Sequence, residues 1–573
     1  MTTLAHSKAT LVRREIPPLK IHNMQIARKG LHKHSWSTTP GAFFRIFKED
    51  PLTLEVTFPE ENSSSRVMLH TNLLSGEDEW GELEFRNNGS GNFSLSVKPR
   101  RCGIFLFKIK HSPDNGKTWY WDGCPVSKVI VDPESARDIR MYTLLPNVSG
   151  HIGDWMGALD HIHDLGFNTV HLLPVTTMDY SESPYAAADL FSIDPSFLNP
   201  SDSRDGLDQF EDFVRAARKK GIKLCVDLVL NHIGISSKMA KCCPEWFVAD
   251  INEPDGLLRA GCWHMNKWIK WEDLGIIQYD HPEPTMRQEL WTYMKQYALF
   301  WANYAAYTDG MVRFDNLHSG NRDFMAELIR TLRSAYPDLI IHAEFFTDSN
   351  TLLKTSAKYE LNLLLANPWE HPFAELLREY LRYLHEISKN IRFLTPVTTH
   401  DTGAPAQLYG SPEAAVPRYF TLALFATGQT GMVQGTEHGV LEKIDFIGRM
   451  HSVSFPTPNR YNALIRKINQ LLANYDLFHE GGNIRFVDQG HGAIIAAIRE
   501  GRKNPAERFL LVSNLDTVNP YKIKLELSGV LQGKRCCRLN EMIKGDTLAL
   551  ESETLELEVE PCGIRAYQII FQQ

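Results

Sequence analysis

The chain has 573 residues, which is long enough for three or four domains and a large buried core. Its 43% of hydrophobic and 23% of charged residues are ordinary for a globular protein, and a net charge of −8 without a basic stripe argues against nucleic acid as a partner. We find neither a secretion signal nor a run of about eighteen apolar residues, so we expect a cytoplasmic protein that has no membrane partner.

Cysteine usage is consistent with that compartment. Nine cysteines is an odd number, and their spacing matches no metal site, so we predict free thiols in a reducing cytoplasm. The sequence gives no indication of the oligomeric state.

The first 137 residues predict a lead-in segment followed by a β-sandwich. Residues 1–34 are basic and weakly patterned, and we expect them to be only partly ordered. Between about 35 and 135, short alternating apolar segments are separated by turn-rich pieces, a pattern that is typical of an all-β sandwich.

From residue 138 to residue 477, predicted strands and helices alternate. Helical spacing is clearest at 153–166, 206–220 and 286–307. The segments with the composition of strands are 140–146, 167–175, 223–230, 310–316, 339–345, 359–366, 393–398 and 430–434. This alternation predicts an α/β fold, a (β/α)8 TIM barrel. After the third strand, residues 231–285 show little regular pattern, and loops of this length in a compact domain are usually functional.

Polar side chains lie in or just after four of the predicted barrel strands. In barrels, function gathers at the carboxyl ends of the strands. A single residue of this kind at a strand end is more often a cap or a turn residue. Together, these residues predict a site where three acids and two histidines converge. The residues are Asp227, Asn231 and His232 at the third strand, Arg313 and Asp315 at the fourth, Glu344 at the fifth, and His400 and Asp401 after the seventh.

Arg313 and Asp315 are two residues apart in a strand, so their side chains point to the same face. We expect the guanidinium to pair with the carboxylate and to keep it ionised at neutral pH. A permanently charged carboxylate at a strand end suits an enzyme that attacks or shields an electron-poor carbon. The alternative is a purely structural ion pair, which is the commoner role of such a pair in isolation.

The order of four motifs resembles the conserved regions of the α-amylase family, glycoside hydrolase family 13. These motifs are DLVLNH, GMVRFDNLH, HAEFF and THD, in chain order. In addition, GMVQGTEHG (431–439) resembles the eighth-strand segment of the family, and SPYAAADLFSID (183–194) resembles its second βα loop. The resemblance covers about 138–475, and the wording of RFDNLHS and AEFFT is nearest to glycogen debranching glucanotransferase domains and to maltosyltransferases.

The resemblance also implies a domain organisation around the barrel of residues 138–477. It implies an accessory N-terminal domain within 1–137 and an inserted subdomain, 231–285, that forms a wall of the cleft. Over 478–573, where short alternating segments return, it implies an antiparallel β-sandwich. Four tryptophans of the insert fit either a glucan-binding surface or a small core of its own: Trp246, Trp263, Trp268 and Trp271.

Matched motif by motif, the resemblance implies Asp315 as the nucleophile, Glu344 as the general acid/base and Asp401 as a third acid that holds hydroxyls of the distorted sugar. Retention of anomeric configuration would need the first two carboxyl groups about 5–5.5 Å apart. Glu344 stands beside Phe345 in an apolar segment, so we expect desolvation to raise its carboxyl pKa, as a general acid requires.

Other site residues follow from the same resemblance. His232 and His400 would bind sugar hydroxyls, and Tyr185 would be a stacking platform, the alternative for Tyr185 being a loop anchor. Asp227 and Asn231 would orient the site. In many family members the equivalent of Asn231 helps to bind calcium, but calcium needs six to eight oxygens, so we leave it unassigned and expect no required cofactor.

One departure from the family pattern affects the aglycone side of the site. Many members have Lys-His three and four residues after the nucleophile, where this chain has His318 and Ser319. The change leaves bond cleavage intact, but it leaves open which group receives the glycosyl unit.

Three functions are open to a chain with these motifs. The first is a retaining glycosidase that cleaves α-glucosidic bonds of glycogen or maltodextrins through a covalent glycosyl-aspartate. The alternative is a 4-α-glucanotransferase or a maltosyltransferase with a sugar or phosphate acceptor; phosphate would need a basic pocket, for which Lys267 and Lys270 are candidates. The remote alternative, a non-catalytic glucan-binding barrel, predicts loss of an acid, whereas all three are present. The motifs carry no information on α-1,4 against α-1,6 selectivity or on chain length.

Overall fold

A computed structural model describes most of the chain between residues 24 and 571. The described residues are 24–29, 43–48, 50–57, 65–73, 79–121, 126–264, 267–456, 461–488, 490–527, 529 and 537–571, with the backbone alone at 24–29, 43, 57 and 263–264.

The N-terminal region forms two facing β-sheets. One sheet has the order Met24–Lys29, Leu52–Thr57, Asn92–Val97 and Arg86–Gly89. The other has the order Phe43–Phe47, Ser127–Asp132, Gly103–Ser112, Arg66–Thr71 and Gly81–Glu84, with Tyr120–Trp121 paired to Gly103–Ser112. The lead-in expected to be only partly ordered therefore contributes a strand at Met24–Lys29, which pairs in parallel with Leu52–Thr57; the other residues of 1–34 lie outside the described part.

Alternating burial explains this sandwich. In Arg66–Thr71 every second residue is buried, and Val67 and Leu69 pack with Leu54 and Phe107 in a core shared by the two sheets. Trp121, by contrast, is 50% exposed.

The middle of the chain confirms the predicted (β/α)8 barrel, because eight parallel strands close on themselves in chain order. The strands are Arg140–Leu144, Thr169–Leu172, Lys223–Leu228, Met311–Phe314, Ile340–Ala343, Leu363–Leu365, Phe393–Pro396 and Thr430–Val433. The helices that follow them in turn are Ile152–Asp164, Gly206–Lys219, Pro284–Tyr307, Arg322–Ala335, Ser349–Tyr359, Ala374–Ile387, Ala415–Leu424 (after a short helix, Pro405–Tyr409) and Asn462–Asn474.

Two excursions rise from the carboxyl ends of the strands. After the second strand, Thr176–Met178 and Ala187–Ile193 form a hairpin. After the third, the stretch expected to lack regular pattern contains a three-stranded sheet with Lys267–Ile276 between His232–Gly234 and Arg259–His264, together with a short helix, Lys238–Cys242. Half of the residues of the central strand are exposed, including its first four in a row, which explains why its sequence lacks an apolar alternation.

The C-terminal region is an antiparallel β-structure packed beside the barrel. A six-stranded sheet has the order Ile484–Val487, Ile494–Glu500, Arg508–Asn514, Ile564–Phe571, Cys537–Glu541 and Thr547–Leu550, and a second pair is Tyr521–Glu526 with Thr554–Val559. Leu510, Leu525 and Val559 belong to one buried cluster that joins both sheets.

Buried charges connect these regions. Asp132 of the N-terminal sandwich is fully buried and pairs with Arg45 at 2.7 Å and with Arg392 of the barrel at 3.0 Å. Arg499 of the C-terminal sheet is also fully buried, and its guanidinium donates to main-chain carbonyls of the barrel, among them those of Leu424 and Ala426. Among the helices of the described residues, none is both long enough and apolar enough to cross a membrane.

Candidate active site

Barrel hydrogen bonds hold the two central acids at the ends of adjacent strands. Asp315 directly follows Met311–Phe314, and its amide donates to the carbonyl of Leu228 on the neighbouring strand at 3.1 Å. Glu344 directly follows Ile340–Ala343, and its amide donates to the carbonyl of Phe314 at 3.0 Å. The backbone on both sides of the site is therefore fixed by the sheet.

The guanidinium of Arg313 is a shared partner of three carboxylates. Its Nη1 atom lies 2.5 Å from Oδ2 of Asp227 and 3.1 Å from Oδ1 of Asp315. Its Nη2 atom donates to Oε2 of Glu344 at 2.7 Å. The expected contact with Asp315 is present, but the two contacts that the sequence did not predict are shorter.

The tight turn after the fourth strand also holds Glu344. Asn316 has a left-handed backbone (φ 48°), and its amide donates to Oε2 of Glu344 at 3.1 Å. The amide of Leu317 donates to the carbonyl of Glu344 at 2.9 Å. Asparagine is one of the few residues that adopt this backbone readily, which is the signal that sequence reasoning overlooked.

The expected apolar surroundings of Glu344 are wrong. Its carboxylate receives the guanidinium of Arg313 and the amide of Asn316, and the neighbouring Phe346 is 39% exposed. The run of apolar letters is misleading because alternate side chains of a strand point in opposite directions.

The expectation that Arg313 keeps Asp315 ionised also needs correction. Burial raises the pKa of Asp315 well above its usual range, and although Arg313 lowers it, the nearby carboxylates of Glu344, Asp227 and Asp401 raise it further. Burial likewise opposes ionisation of Asp227, but Arg313 and a hydrogen bond from His171 lower the pKa of Asp227 below its usual range. Arg313 is therefore the counter-ion of Asp227 more than of Asp315.

Tyr185 and His400 form a connected pair beside the acids. Their rings stack 5.7 Å apart at 6°, and the Tyr185 hydroxyl lies 2.7 Å from Nε2 of His400 and donates to Oδ2 of Asp227 at 2.9 Å. Nε2 of His400 also lies 3.2 Å from Oδ2 of Asp401, whose side chain is 53% exposed. Burial, with help from Arg313, lowers the pKa of His400 well below its usual value, so this imidazole is neutral.

A cavity of about 720 Å³ lies above these residues. Its described lining comprises Tyr180, Ser181, Ser183, Tyr185, His232, Cys262, Trp271, Glu272, Asp273, Leu274, Asp315, Asn316, His318, Glu344, Asp401, Phe446 and Ile447. Five of these residues are acidic, whereas none of the described lining residues is lysine or arginine. The volume and the mixture of aromatic and polar walls suit a sugar chain.

The predicted site residues therefore separate into two layers. The three acids line the cavity together with Tyr185, His232 and His318, and the remaining predicted residues, namely Arg313, Asp227, Asn231 and His400, are not among those that line it. The ring nitrogens of His232 are buried and make no hydrogen bond of ordinary geometry among the described residues, and burial lowers the pKa of His232 to about 4.

Two residues that the sequence reasoning missed, His171 and Phe446, complete the site together with Trp271, one of the insert tryptophans named from the sequence. Nε2 of His171, at the end of the second strand, lies 3.3 Å from Oδ2 of Asp227. Trp271 of the insert lines the cavity and lies edge-on to His232, and Phe446 lies edge-on to both Tyr185 and His400. For His171 the signal was a polar residue in an otherwise apolar strand, HLLPV.

The insert tryptophans occupy different surroundings. Trp246 packs against the barrel core, whereas Trp271 lines the cavity and Trp268 is 44% exposed; the side chain of Trp263 lies outside the described part. Lys270, a candidate for a phosphate pocket, pairs with Glu253 at 3.0 Å and with Glu272 at 2.9 Å, so its charge is already balanced by two carboxylates.

The residues near Asn231 do not fit a calcium site. Its side-chain oxygen is buried without a hydrogen-bond partner among the described residues, which supplies one oxygen of the six to eight that calcium needs. Within the described part of the chain, no set of three acidic, histidine or cysteine ligands converges beside it.

Comparison with known proteins identifies relatives of this site. Residues 135–254 match the model of the glucanotransferase domain of glycogen debranching enzyme. The chain is 22% identical over 416 residues to an α-1,4-glucan:maltose-1-phosphate maltosyltransferase of Picrophilus torridus, covering 68% of this chain and 63% of that protein. It is 24% identical over 306 residues to an intracellular maltogenic amylase of Bacillus subtilis, covering 50% of this chain and 49% of that one.

These matches support assignment of the chain to the α-amylase family, glycoside hydrolase family 13. Solved structures share its fold. A maltogenic α-amylase of Thermotoga neapolitana superimposes with a TM-score of 0.62 at 17% identity over 76% of this chain and 99% of that one. A cyclomaltodextrinase superimposes with a TM-score of 0.61 at 15% identity over 93% of this chain and 99% of that one. The chain thus spans 63% and 49% of these two curated relatives but nearly all of these solved structures.

Proposed function

We propose that this protein is a retaining enzyme that cleaves α-glucosidic bonds of neutral glucans or maltooligosaccharides through a covalent bond to Asp315. The observation that carries the proposal is the convergence of Asp315 and Glu344 on one guanidinium, that of Arg313, at the floor of an acid-lined cavity. A double-displacement reaction requires two carboxyl groups that flank the glycosidic bond, one at the anomeric carbon and one at the glycosidic oxygen.

In the first half of the reaction, Asp315 forms a bond to the anomeric carbon. Glu344 donates its proton to the glycosidic oxygen, and the bond between that oxygen and the anomeric carbon breaks. In the second half, Glu344 takes a proton from water or from a sugar hydroxyl, whose oxygen displaces Asp315 from the anomeric carbon. Two inversions give net retention.

These roles require one proton within the group of carboxylates around Arg313. The raised pKa of Asp315 means that the group of carboxylates readily holds a proton, which belongs to the group as a whole. The reactive state has that proton on Glu344 and the charge on Asp315. The positive charge that develops at the anomeric carbon lies closest to Asp315, so it favours the state in which Asp315 is ionised and Glu344 is protonated.

The layer behind the cavity has a positioning role. Asp227 accepts from Arg313 and Tyr185 and lies next to His171, so it fixes the guanidinium and the aromatic ring at once. We assign Tyr185 to stack against the attacked sugar. His232 and Asp401 would bind hydroxyls of that sugar, and the neutral imidazole of His400 would also form hydrogen bonds in the site.

The charge of the cavity favours a neutral substrate and a neutral acceptor. Five acidic residues and no described lysine or arginine line it, so a phosphate group would meet repulsion. A second candidate, transfer to a sugar hydroxyl, is supported by the match to a glucanotransferase domain and by the aromatic wall that Trp271 and Phe446 provide for an acceptor. A cytoplasmic location is part of the proposal, since one relative is an intracellular amylase and the seven described cysteines are free.

Product analysis with maltooligosaccharides tests the proposal. Short products alone would indicate hydrolysis, incorporation of a labelled sugar acceptor would indicate transfer, and labelled phosphate should not be incorporated. Asp315→Asn and Glu344→Gln should each lower turnover by about three orders of magnitude or more. Matched controls are Asp164→Asn and Glu386→Gln, both exposed and distant from the cavity; near-normal turnover in either site variant would refute the assignment.

A further inference from the structure

A buried carboxylate outside the glucan cavity lies between two histidines. Glu437, in the turn after the eighth barrel strand, is fully buried. Its Oε1 atom lies 3.3 Å from Nε2 of His161, on the first barrel helix, and 3.5 Å from Nε2 of the adjacent His438. The three ligand atoms all lie within 4.8 Å of one another.

The other donors to Glu437 are neutral. The hydroxyl of Tyr142 donates to Oε1 at 2.5 Å, and the amide of Gly435 donates to Oε2 at 2.9 Å. Among the described residues, the ion pairs of Glu437 are those with His161 and His438. A cation bound beside this fully buried carboxylate would offset the cost of burying its charge.

Two of the three spacings match the coordination sphere of a zinc ion. Zinc binds histidine nitrogen and carboxylate oxygen at about 2.0–2.2 Å in a tetrahedron, which places neighbouring ligand atoms ~3.3–3.5 Å apart. The two distances from Oε1, 3.3 and 3.5 Å, fall in that range. The contacts of Tyr142 and Gly435 would hold the carboxylate in orientation, as hydrogen-bonded partners of metal ligands do.

We propose that His161, Glu437 and His438 form a zinc site, with a water molecule as the fourth ligand. The histidine side chains are 34% and 20% exposed, so solvent can reach the open position. The ion would supply positive charge beside the buried carboxylate. Nickel or cobalt could use the same ligands, but zinc accepts this mixed nitrogen and oxygen set in tetrahedral geometry.

The position of the site indicates a structural role. His161 lies on the helix that follows the first strand, and Glu437 follows the eighth strand, so the ion would tie the two ends of the barrel where Arg140–Leu144 pairs with Thr430–Val433. None of the three ligands is among the described residues that line the glucan cavity. Zinc should therefore raise thermal stability without being needed for glucan cleavage.

Zinc titration of the full-length, chelator-treated protein tests the site. Calorimetry should detect one ion per chain, and zinc should raise the melting temperature. His161→Gln and His438→Gln should each weaken this binding by about 100-fold or more and remove the rise in melting temperature.

The matched control is His163→Gln, because His163 lies on the same helix but its side chain is 58% exposed and contacts Asp164. This variant should bind zinc as the unaltered chain does. Equal affinity in all variants, or equal loss in the control, would overturn the proposal. If one ligand variant fails to fold, the other together with the visible spectrum of cobalt bound to the unaltered chain decides the outcome, since octahedral or absent cobalt also overturns it.

Discussion

One guanidinium serves three carboxylates at the floor of the cavity, and this arrangement sets the electrostatics of the whole site. Arg313 donates to Asp227, Asp315 and Glu344, so at most part of its charge is available to each acid. Its shortest contact is with Asp227, which lies behind the cavity. The charged form of Asp315, the proposed nucleophile, is therefore less stabilised than its position beside an arginine would imply.

This arrangement predicts that Asp315→Asn stabilises the folded protein while abolishing turnover. Because burial raises the pKa of Asp315 in the folded state, its ionisation costs stability as the pH rises through that raised pKa, and below about pH 3.9 the cost disappears. Melting curves between pH 4 and pH 8 should show a higher melting temperature for the variant at neutral pH and convergence in acid. A variant that melts lower at pH 8, with Asp164→Asn unchanged, would contradict this account.

At the level of single residues, sequence reasoning found the acids but not their environment. The contact of Arg313 with Asp315 followed from strand alternation, because both residues belong to one segment. The contacts of Arg313 with Asp227 and Glu344 run between strands, and their distances depend on the closure of the barrel. The roles of the acids themselves stay predictions until the variants are measured.

Among the structural elements, the turn that follows the fourth strand directly contacts Glu344, the proposed general acid. Asn316 adopts a left-handed backbone there, and its amide holds Oε2 of Glu344. Only asparagine, aspartate and glycine adopt this conformation at low cost, so the identity of this residue controls where the carboxylate of Glu344 lies.

We therefore expect Asn316→Gly to keep the turn and Asn316→Val to disrupt it. A β-branched residue in the left-handed region costs about 1–2 kcal/mol, and a shift of Glu344 by about 1 Å can lower kcat/KM about 100-fold. Urea unfolding and steady-state kinetics of the two variants measure both effects. If valine and glycine behave alike, the backbone conformation is not what positions Glu344.

The helices and strands of the barrel were predictable within a few residues because each has a clear apolar period. The predicted helix 206–220 is Gly206–Lys219, and the predicted helix 286–307 is Pro284–Tyr307. The sheet of the insert was not predictable, because half of Lys267–Ile276 is exposed, including its first four residues in a row, and the strand lacks the alternation of a half-buried strand. Periodicity reports burial, so an element that buries little leaves little trace in the sequence.

At the scale of the whole molecule, the C-terminal sheet is fastened to the barrel by Arg499. Its guanidinium donates to carbonyls of Leu424, Ala426 and Leu477 and to the side chain of Asn483. These acceptors are uncharged main-chain or amide oxygens. The arginine is therefore held by several hydrogen bonds and not by an ion pair. Removing it would leave several buried acceptors without donors.

Arg499→Met should lower the free energy of unfolding by about 3 kcal/mol or more, since methionine fills part of the space but offers no donor. Arg502→Met is the control, because Arg502 is exposed and lies near the same loop. Guanidinium unfolding followed by tryptophan fluorescence measures the shift in midpoint. Equal midpoints for the two variants would mean that water replaces the guanidinium without cost.

The burial of Asp132 bears on whether the catalytic barrel could exist without its N-terminal neighbour. This single acid balances Arg45 from its own sandwich and Arg392 from the barrel, and it also accepts from Asn362. A chain without the N-terminal sandwich would leave Arg392 and Asn362 without the carboxylate of Asp132 that they contact here. The sandwich therefore supplies charge that the barrel needs in order to fold. Removing this end of the chain would impair folding even though every residue of the cavity was kept.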